Sequence, residues 1–174
     1  MREVGVQVDQ GRLLIAQEHA LSVMLRDQLS QMLKILNADN HVAKRIALAT
    51  PGGDIHEFGI MLSGILAASQ GWFVQYLGPN LPPEELAQAC VKLEAEVVLV
   101  GTTPVPAEEL TLSWGDYLRI LNEQLPVTTQ LWVGGAAALD GPLPRLKLRE
   151  GTKWVASLEK LEHLLTKTNQ EKNS

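Results

Sequence analysis

The residues best suited to chemistry in this chain are Asp54 and His56, two positions apart in a segment that ends at Gly59. A carboxylate that accepts a hydrogen bond from one imidazole nitrogen leaves the other nitrogen free to bind a metal ion. Gly59 would let a large group approach the backbone, because glycine has no side chain. A lone histidine here can equally be an ordinary loop residue, so the pattern indicates a metal ligand without requiring one.

The surrounding sequence places this pair at the edge of a predicted sheet. Residues 44–50 are typical of a buried strand and residues 60–68 of a buried helix, with the flexible-looking run Pro51-Gly52-Gly53 after the strand. Ligands of open α/β sheets bind at that edge, beyond the carboxyl ends of the strands. A single histidine cannot hold a bare zinc or iron ion, and the sequence has no second Cys/His cluster of suitable spacing. The metal is therefore expected to bring most of its own ligands.

Two later segments belong to the same edge. Thr102 and Thr103 follow the third predicted strand, and Gly134, Gly135 and three alanines follow the fourth. Taken singly, each segment could be an ordinary tight turn. Together they predict a narrow slot lined by small side chains, which would admit a long, thin, polar group.

Hydrophobic periodicity divides the chain into a long first helix, residues 12–36, and an alternating α/β region. The predicted strands are 45–50, 72–77, 96–101, 129–133 and 153–156, and the later helices are 56–69, 83–93, 112–124 and 158–167. Such alternation is typical of βαβ units, and therefore of a parallel sheet. The first helix has a broad apolar face, so we expect it to pack on the α/β region, on another chain or on a missing segment. Glu18 and His19 lie on this helix, where spacing alone is compatible with ordinary surface positions.

Composition excludes several classes of function. The chain has 174 residues and a net charge of −5, which argues against nucleic-acid binding by this chain alone. Its apolar segments are too short to span a membrane, and it shows no signal peptide. Cys90 is the sole cysteine, so an intrachain disulfide is excluded. These features predict a cytoplasmic protein.

The pattern Asp54-x-His56-x-x-Gly59, followed by Thr102-Thr103 and Gly134-Gly135, resembles the cobalamin-binding motif. The second segment of that motif is usually Ser-x-Leu. The resemblance implies that His56 displaces the dimethylbenzimidazole of the cofactor and becomes the lower axial cobalt ligand, while Asp54 orients its ring. It also implies that the displaced nucleotide tail enters the slot. The implied cofactor contacts on this side are Asp54, Ile55, His56, Glu57, Phe58, Gly59, Thr102, Thr103, Gly134 and Gly135.

The long helix carries a second resemblance. Gly11, the pair Glu18-His19 and Ser22 are similar to the helical cap of light-responsive MerR-type transcription regulators. This similarity implies adenosylcobalamin as the cofactor, with methylcobalamin as the alternative. It implies that Glu18 contacts the adenosyl group and that His19 can ligate cobalt once that group has left. Val8 departs from the family, which has a tryptophan there.

Pattern and resemblance together predict an α/β, flavodoxin-like (Rossmann-like) fold, a five-stranded parallel sheet with flanking helices. Residues 1–40 would form a partial helical cap and residues 41–174 the cobalamin-binding domain. The chain shows no helix-turn-helix segment, so we expect any DNA-binding domain to lie outside it. It has only part of a four-helix cap, so we expect either a homo-oligomer or missing cap helices.

The expected function is a sensory domain without catalytic turnover that controls transcription in response to light or cobalamin. A corrinoid methyl carrier of a methyltransferase system and a degenerate, non-binding oligomerisation domain stay open as alternatives. A receiver domain would require an aspartate where Thr102 stands.

Overall fold

The computed structural model describes residues 14–40, 43–106, 109–135 and 147–170. The elements in these residues are α1 Ile15–Asn37, β1 Arg45–Pro51, α2 Phe58–Ser69, β2 Phe73–Leu81, α3 Pro83–Lys92, β3 Val97–Thr102, α4 Trp114–Gln124, β4 Gln130–Gly135, β5 Lys153–Val155 and α5 Leu158–Gln170. Each of them was predicted from the sequence with bounds that differ by a few residues. The largest difference is in β2, which continues to Leu81 instead of ending at Leu77.

The five strands form one parallel sheet in the order β2-β1-β3-β4-β5. This is the flavodoxin-like order expected from the sequence. The chain passes from β1 outward to β2 and then returns to the other side of β1 to form β3. The connections after β1 and β3 therefore leave on opposite faces of the sheet and open a crevice between them. The segment with Asp54 and His56 follows β1, and Thr103 follows β3, so both border this crevice.

Two apolar layers hold the sheet in place. The side chains of β1 alternate, with Ala47 and Ala49 packed towards α3 and α4, and Ile46 and Leu48 packed towards α2 and α5. A strand that is buried on both faces is typical of the centre of a parallel sheet. Each large apolar side chain that is fully buried in this way stabilises the folded state by about 1.5–3 kcal/mol relative to an exposed one. The central strands thus form a fixed base for the segments at their carboxyl ends.

Helix α1 is attached to the α/β unit through its C-terminal half. Leu33 is buried in the core, and the Asn37 side chain pairs with the backbone of Val74, donating to its carbonyl at 2.7 Å and accepting from its N–H at 2.9 Å. Asn37 thereby occupies hydrogen-bonding groups of β2, an edge strand that would otherwise leave them unpaired. Asn40 adds a hydrogen bond of 2.9 Å to the carbonyl of Ala68.

The rest of α1 presents apolar side chains to solvent. The exposed apolar residues of the helix, together with Leu14 directly before it, are Leu14, Ile15, Leu21, Val23, Met24, Leu25, Met32 and Ile35. The apolar face predicted for this helix is therefore packed on the α/β unit only in part. None of the described helices, α1 included, is both long enough and apolar enough to cross a membrane.

Candidate functional site

One buried carboxylate organises the segment between β1 and α2. Asp54 is 0% exposed, and its Oδ1 accepts a hydrogen bond of 2.9 Å from the backbone N–H of His56. Its Oδ2 accepts a bond of 2.8 Å from the backbone N–H of Thr103, whose hydroxyl lies 2.8 Å from both carboxylate oxygens. Hydrogen bonds of this kind compensate the cost of burying the charge. Asp54 therefore ties the segment after β1 to the end of β3.

The same carboxylate selects the tautomer of the neutral His56 ring. His56 Nδ1 lies 3.0 Å from Asp54 Oδ1 and 3.1 Å from the hydroxyl oxygen of Thr103. Because a carboxylate oxygen can only accept, Nδ1 carries the ring proton and Nε2 keeps a free lone pair. The His56 side chain is 58% exposed. His56 is thus an oriented, accessible imidazole, which is the form that binds a metal ion.

The backbone around Asp54 is fixed as well. The Asp54 carbonyl accepts hydrogen bonds from the Thr50 hydroxyl and, at 3.2 Å, from the N–H of Asn80. The Asn80 side chain accepts a bond of 2.7 Å from the N–H of Gly53. Gly53 has a φ of +92°, and a Cβ there would lie 2.6 Å from the Cα of Leu110. The Pro51–Gly53 run, expected from the sequence to be pliable, is therefore packed between two neighbouring segments.

A cavity of about 210 Å³ opens beside His56, where the sequence predicts a slot. Its lining includes His56, Gly59, Thr102, Thr103, Gly134 and Gly135. The two glycines lie opposite Gly101 and Thr102 in the register of β3 and β4. A Cβ on Gly134 would lie 3.1 Å from the carbonyl oxygen of Val155, so even a methyl group there would require the neighbouring atoms to shift. The sheet edge thus keeps a narrow opening between β3, β4 and β5.

Gly59 differs from the other glycines of the cavity. A Cβ added to Gly59 would meet no described atom within 4 Å, and its φ is not in the left-handed region. Glycine inside a helix is destabilising by roughly 0.5–1 kcal/mol relative to alanine. Neither packing nor backbone conformation in the described residues explains this glycine. A group from outside the chain that approaches the start of α2 would explain it.

Comparison with known proteins shows what the chain is related to. No family model matches it. It is 33% identical to the HTH-type transcriptional repressor CarA of Myxococcus xanthus over 180 residues, which cover 100% of this chain and 55% of that protein. It is 32% identical to the HTH-type transcriptional repressor CarH of the same organism over 136 residues, covering 78% of this chain and 44% of that protein. The chain thus spans about half the length of these curated relatives.

The sequence similarity to these repressors supports a cobalamin-binding domain in this chain. Its fold is also that of the monomethylamine corrinoid protein of Methanosarcina barkeri, with a TM-score of 0.66 at 17% sequence identity. That match covers 96% of this chain and 77% of the other. At 17% identity this match concerns the fold, whereas the two repressors are similar to the chain in sequence at more than 30% identity.

Sequence reasoning missed one wall of the cavity. It consists of Val155, Ala156, Ser157 and Leu158, at the end of β5 and the start of α5. Ser157 caps α5, because its hydroxyl accepts a hydrogen bond of 3.1 Å from the N–H of Lys160. A serine directly before a helical pattern is a known signal for such a cap. The rule that placed Thr102 at the carboxyl edge of the sheet would have placed Ser157 there as well.

Within the Asp-x-His-x-x-Gly segment, Glu57 faces away from the cavity. Its side chain is 4% exposed, forms an ion pair with Arg26 of α1 and accepts a hydrogen bond from the Tyr76 hydroxyl of β2. Burial, followed by the hydrogen bond to Glu57, raises the pKa of Tyr76 well above its ordinary value. Ile55 is exposed and Phe58 half-buried, and neither lines the cavity. The residues of this segment that were predicted to contact the cofactor therefore do not all face the cavity.

The cap residues of the family resemblance lie apart from this cavity. Glu18 is partly exposed and His19 exposed in the N-terminal half of α1, and neither lines the cavity. Val8 lies outside the described residues, as does Gly11. No group of three His, Cys, Asp or Glu side chains that could hold a bare metal ion occurs in the described part of the chain. The structure thus brings together the residues predicted for the lower face, and it leaves Glu18 and His19, predicted for the upper face, away from them on α1.

Proposed function

We propose that this chain is the cobalamin-binding sensory part of a transcription regulator and that His56 is the lower axial ligand of the cobalt. The observation that carries this proposal is the arrangement of Asp54, His56 and Thr103 at the mouth of the cavity. A carboxylate that orients a ligating imidazole is a recurrent device for tuning a metal ligand. The relationship to two transcriptional repressors supports the regulatory role.

The cavity fits one part of the cofactor. Ligand pockets for drug-sized molecules measure about 300–1,000 Å³, whereas this cavity measures about 210 Å³. It suits the thin nucleotide tail, with Thr102, Gly134 and Gly135 beside it, while the corrin ring would lie outside against His56 and Gly59. Ile55 and Phe58 are then candidates for contact with the ring edge. When bound, cobalamin supplies a cobalt centre whose upper ligand can be exchanged or released by light.

The regulatory part of the proposal concerns α1. We assign residues 1–40 to a partial helical cap over the upper face of the corrin, with Glu18 and His19 as its contacts, and residues 41–174 to the cobalamin domain. Adenosylcobalamin is the form that this pair suits, and light or cobalamin itself is the signal. DNA binding would reside in a part of the regulator that this chain does not include. The exposed apolar side chains of α1 would be covered by further cap helices or by a second copy.

A corrinoid methyl carrier is the second candidate function. The observation in its favour is the close match of the fold to a corrinoid protein over 96% of this chain. Such a carrier would bind methylcobalamin and pass its methyl group to a partner enzyme, whereas a sensor would retain the cofactor and change its own state. A preference for adenosylcobalamin together with a light-dependent change would favour the sensor.

Reconstitution with cobalamin tests both candidates. The protein is mixed in the dark with adenosyl-, methyl- or hydroxocobalamin, freed of unbound cofactor, and its absorption spectrum is recorded before and after green light. We expect a base-off spectrum with histidine ligation, which His56→Ala abolishes and which the control His163→Ala, an exposed histidine of α5, leaves intact. Failure of all three forms to bind would end the cobalamin proposal in favour of a degenerate oligomerisation domain.

A further inference from the structure

The ion pair between Arg26 and Glu57 joins α1 to the segment that carries His56. Glu57 follows His56 in the chain and is the residue from which α2 begins, because its carbonyl accepts a hydrogen bond of 2.9 Å from the N–H of Met61. One of its carboxylate oxygens pairs with Arg26, and the other accepts from the Tyr76 hydroxyl. The position of Glu57 is therefore set jointly by α1 and β2.

Arg26 provides the compensation for a buried charge. Glu57 is 4% exposed, and its Oε1, which faces Arg26, accepts no hydrogen bond from any other described residue. Removing the partner of a buried carboxylate is costly, because the charge is left without compensation in a poorly solvated site. Exposed pairs behave differently: the Arg119–Glu123 pair, 56% and 60% exposed, is expected to contribute little. Glu57 thus depends on Arg26, although Arg26 itself is 54% exposed.

The spacing of α1 connects this ion pair to the upper-face candidate. His19, Arg26 and Leu33 follow one another at intervals of seven residues. Seven residues turn an α-helix to within about 20° of the same direction and advance it by about 10 Å. One face of α1 therefore carries a buried anchor at Leu33, the ion pair at Arg26 and a free end at His19. Movement of the N-terminal part of α1 would therefore displace Arg26 before it displaced Leu33.

We propose that Arg26 is a positioning residue for His56, which couples the placement of the N-terminal half of α1 to the segment that holds the lower ligand. Arg26 acts through Glu57 and does not itself contact the cofactor. The purpose of this link rests on the proposed function, since it requires that His56 binds cobalt and that α1 covers the other face. The link itself is a property of the protein without cofactor and is measurable there.

The first experiment uses the cofactor-free protein and follows backbone hydrogen exchange at His56, whose N–H is bonded to Asp54. We expect Arg26→Met to accelerate this exchange about tenfold or more, because the buried Glu57 carboxylate loses its charged partner. Amides of β3 should keep their wild-type rates, which separates a local effect from general destabilisation. Arg119→Met is the matched control, and Arg26→Lys should restore part of the protection. Wild-type exchange at His56 in Arg26→Met would overturn the proposal.

A double variant guards against a trivial loss of folding. Arg26→Met/Glu57→Gln removes both charges, so the uncompensated carboxylate disappears and exchange at His56 should return to within about threefold of wild type if the two residues act as one unit. Independent effects of the two substitutions, adding in the double variant, would contradict the coupling.

The second experiment measures the lower ligand directly. After reconstitution, the nitrogen splitting in the electron paramagnetic resonance spectrum of bound cob(II)alamin reports ligation by His56. We expect Arg26→Met to lower the histidine-ligated fraction and to weaken binding by about tenfold, within the range for residues that support a metal ligand, with recovery in the double variant. Unchanged ligation in Arg26→Met would overturn the positioning role. If the wild type bound no cobalamin, the proposed function would fail, while the exchange experiment would still decide whether Arg26 controls the segment.

Discussion

The two histidines that could approach a bound cobalt from opposite sides stand in very different surroundings. His56 is oriented by Asp54 and Thr103, and the segment around it is held by β2 and β3. His19 is exposed in the N-terminal half of α1, seven residues before the ion pair at Arg26 and fourteen before the buried Leu33. The residues proposed for the lower face are therefore held in place by other described residues, whereas the pair proposed for the upper face is not.

This difference has a consequence for binding. Ordering a flexible side chain or loop at a binding site costs about 0.5–1.5 kcal/mol for each immobilised side chain. His56 is held by Asp54 and Thr103, so this cost is small at the proposed lower face. The same cost remains at Glu18 and His19. We therefore expect lower-face residues to govern affinity in the isolated chain, and upper-face residues to matter once further segments cover α1.

Replacing the buried carboxylate should produce the largest effect. Asp54→Asn keeps the volume but replaces one carboxylate oxygen with an NH₂ group. That group is a donor, so it cannot accept the hydrogen bonds that Thr103 or His56 now donates to the replaced oxygen. Substitutions in groups that orient a metal ligand typically cost 10- to 100-fold in metal affinity. We expect a loss of about that size in cobalamin affinity, measured by titration of the cofactor-free protein with hydroxocobalamin.

Glu18→Gln is the matched control, because it makes the same change from carboxylate to amide in the open region. It should alter hydroxocobalamin affinity by less than about twofold, as expected for a surface substitution away from buried contacts. Equal losses in the two variants would show that the upper face is also preorganised in this chain, and the contrast between the regions would be wrong.

Gly59→Ala should separate folding from binding. An added methyl group would meet no described protein atom within 4 Å at this position, and alanine should raise the free energy of unfolding by up to about 1 kcal/mol. The same methyl group would project towards the site assigned to the corrin, so we expect cobalamin affinity to fall by about tenfold, equivalent to 1.4 kcal/mol. Urea unfolding and cobalamin titration of one variant provide both measurements. A stabilised variant with undiminished affinity would remove Gly59 from the site.

The fold, and the grouping of Asp54, His56 and Thr103 at one edge of the sheet, could be read from the sequence for identifiable reasons. Central strands buried on both faces give uninterrupted apolar runs, and the sheet rule places Asp54, His56 and Thr102 at one edge without knowledge of their contacts. The direction of Glu57 could not be read in this way. It depends on Arg26 and Tyr76, which lie 31 and 19 positions away and meet it only after α1 and β2 have packed. Long-range pairs of polar side chains leave no periodic signal in the sequence.

The role of Thr103 shows a second limit of sequence reasoning. The motif resemblance named Thr102 and Thr103 together as cofactor contacts at the predicted slot. In the structure, the Thr103 hydroxyl is engaged by Asp54 and His56, while Thr102 is the buried final residue of β3. Adjacent residues at the end of a strand point in opposite directions. Which of the two threonines is oriented towards His56 therefore depends on where β3 ends.

His19→Ala should have the smallest effect, and it tests the open end of the comparison. Because the side chain is exposed, we expect the free energy of unfolding to change by less than about 0.5 kcal/mol and the dark spectrum of the adenosylcobalamin complex to stay unchanged. A difference should arise only after illumination, when the vacated upper position of the cobalt becomes available to a second histidine. A light-induced spectrum that is identical in wild type and His19→Ala would remove the upper-ligand role. A change already present in the dark would instead mean that bound cofactor draws α1 over the corrin before any light is absorbed, so that the upper face is assembled by the ligand itself.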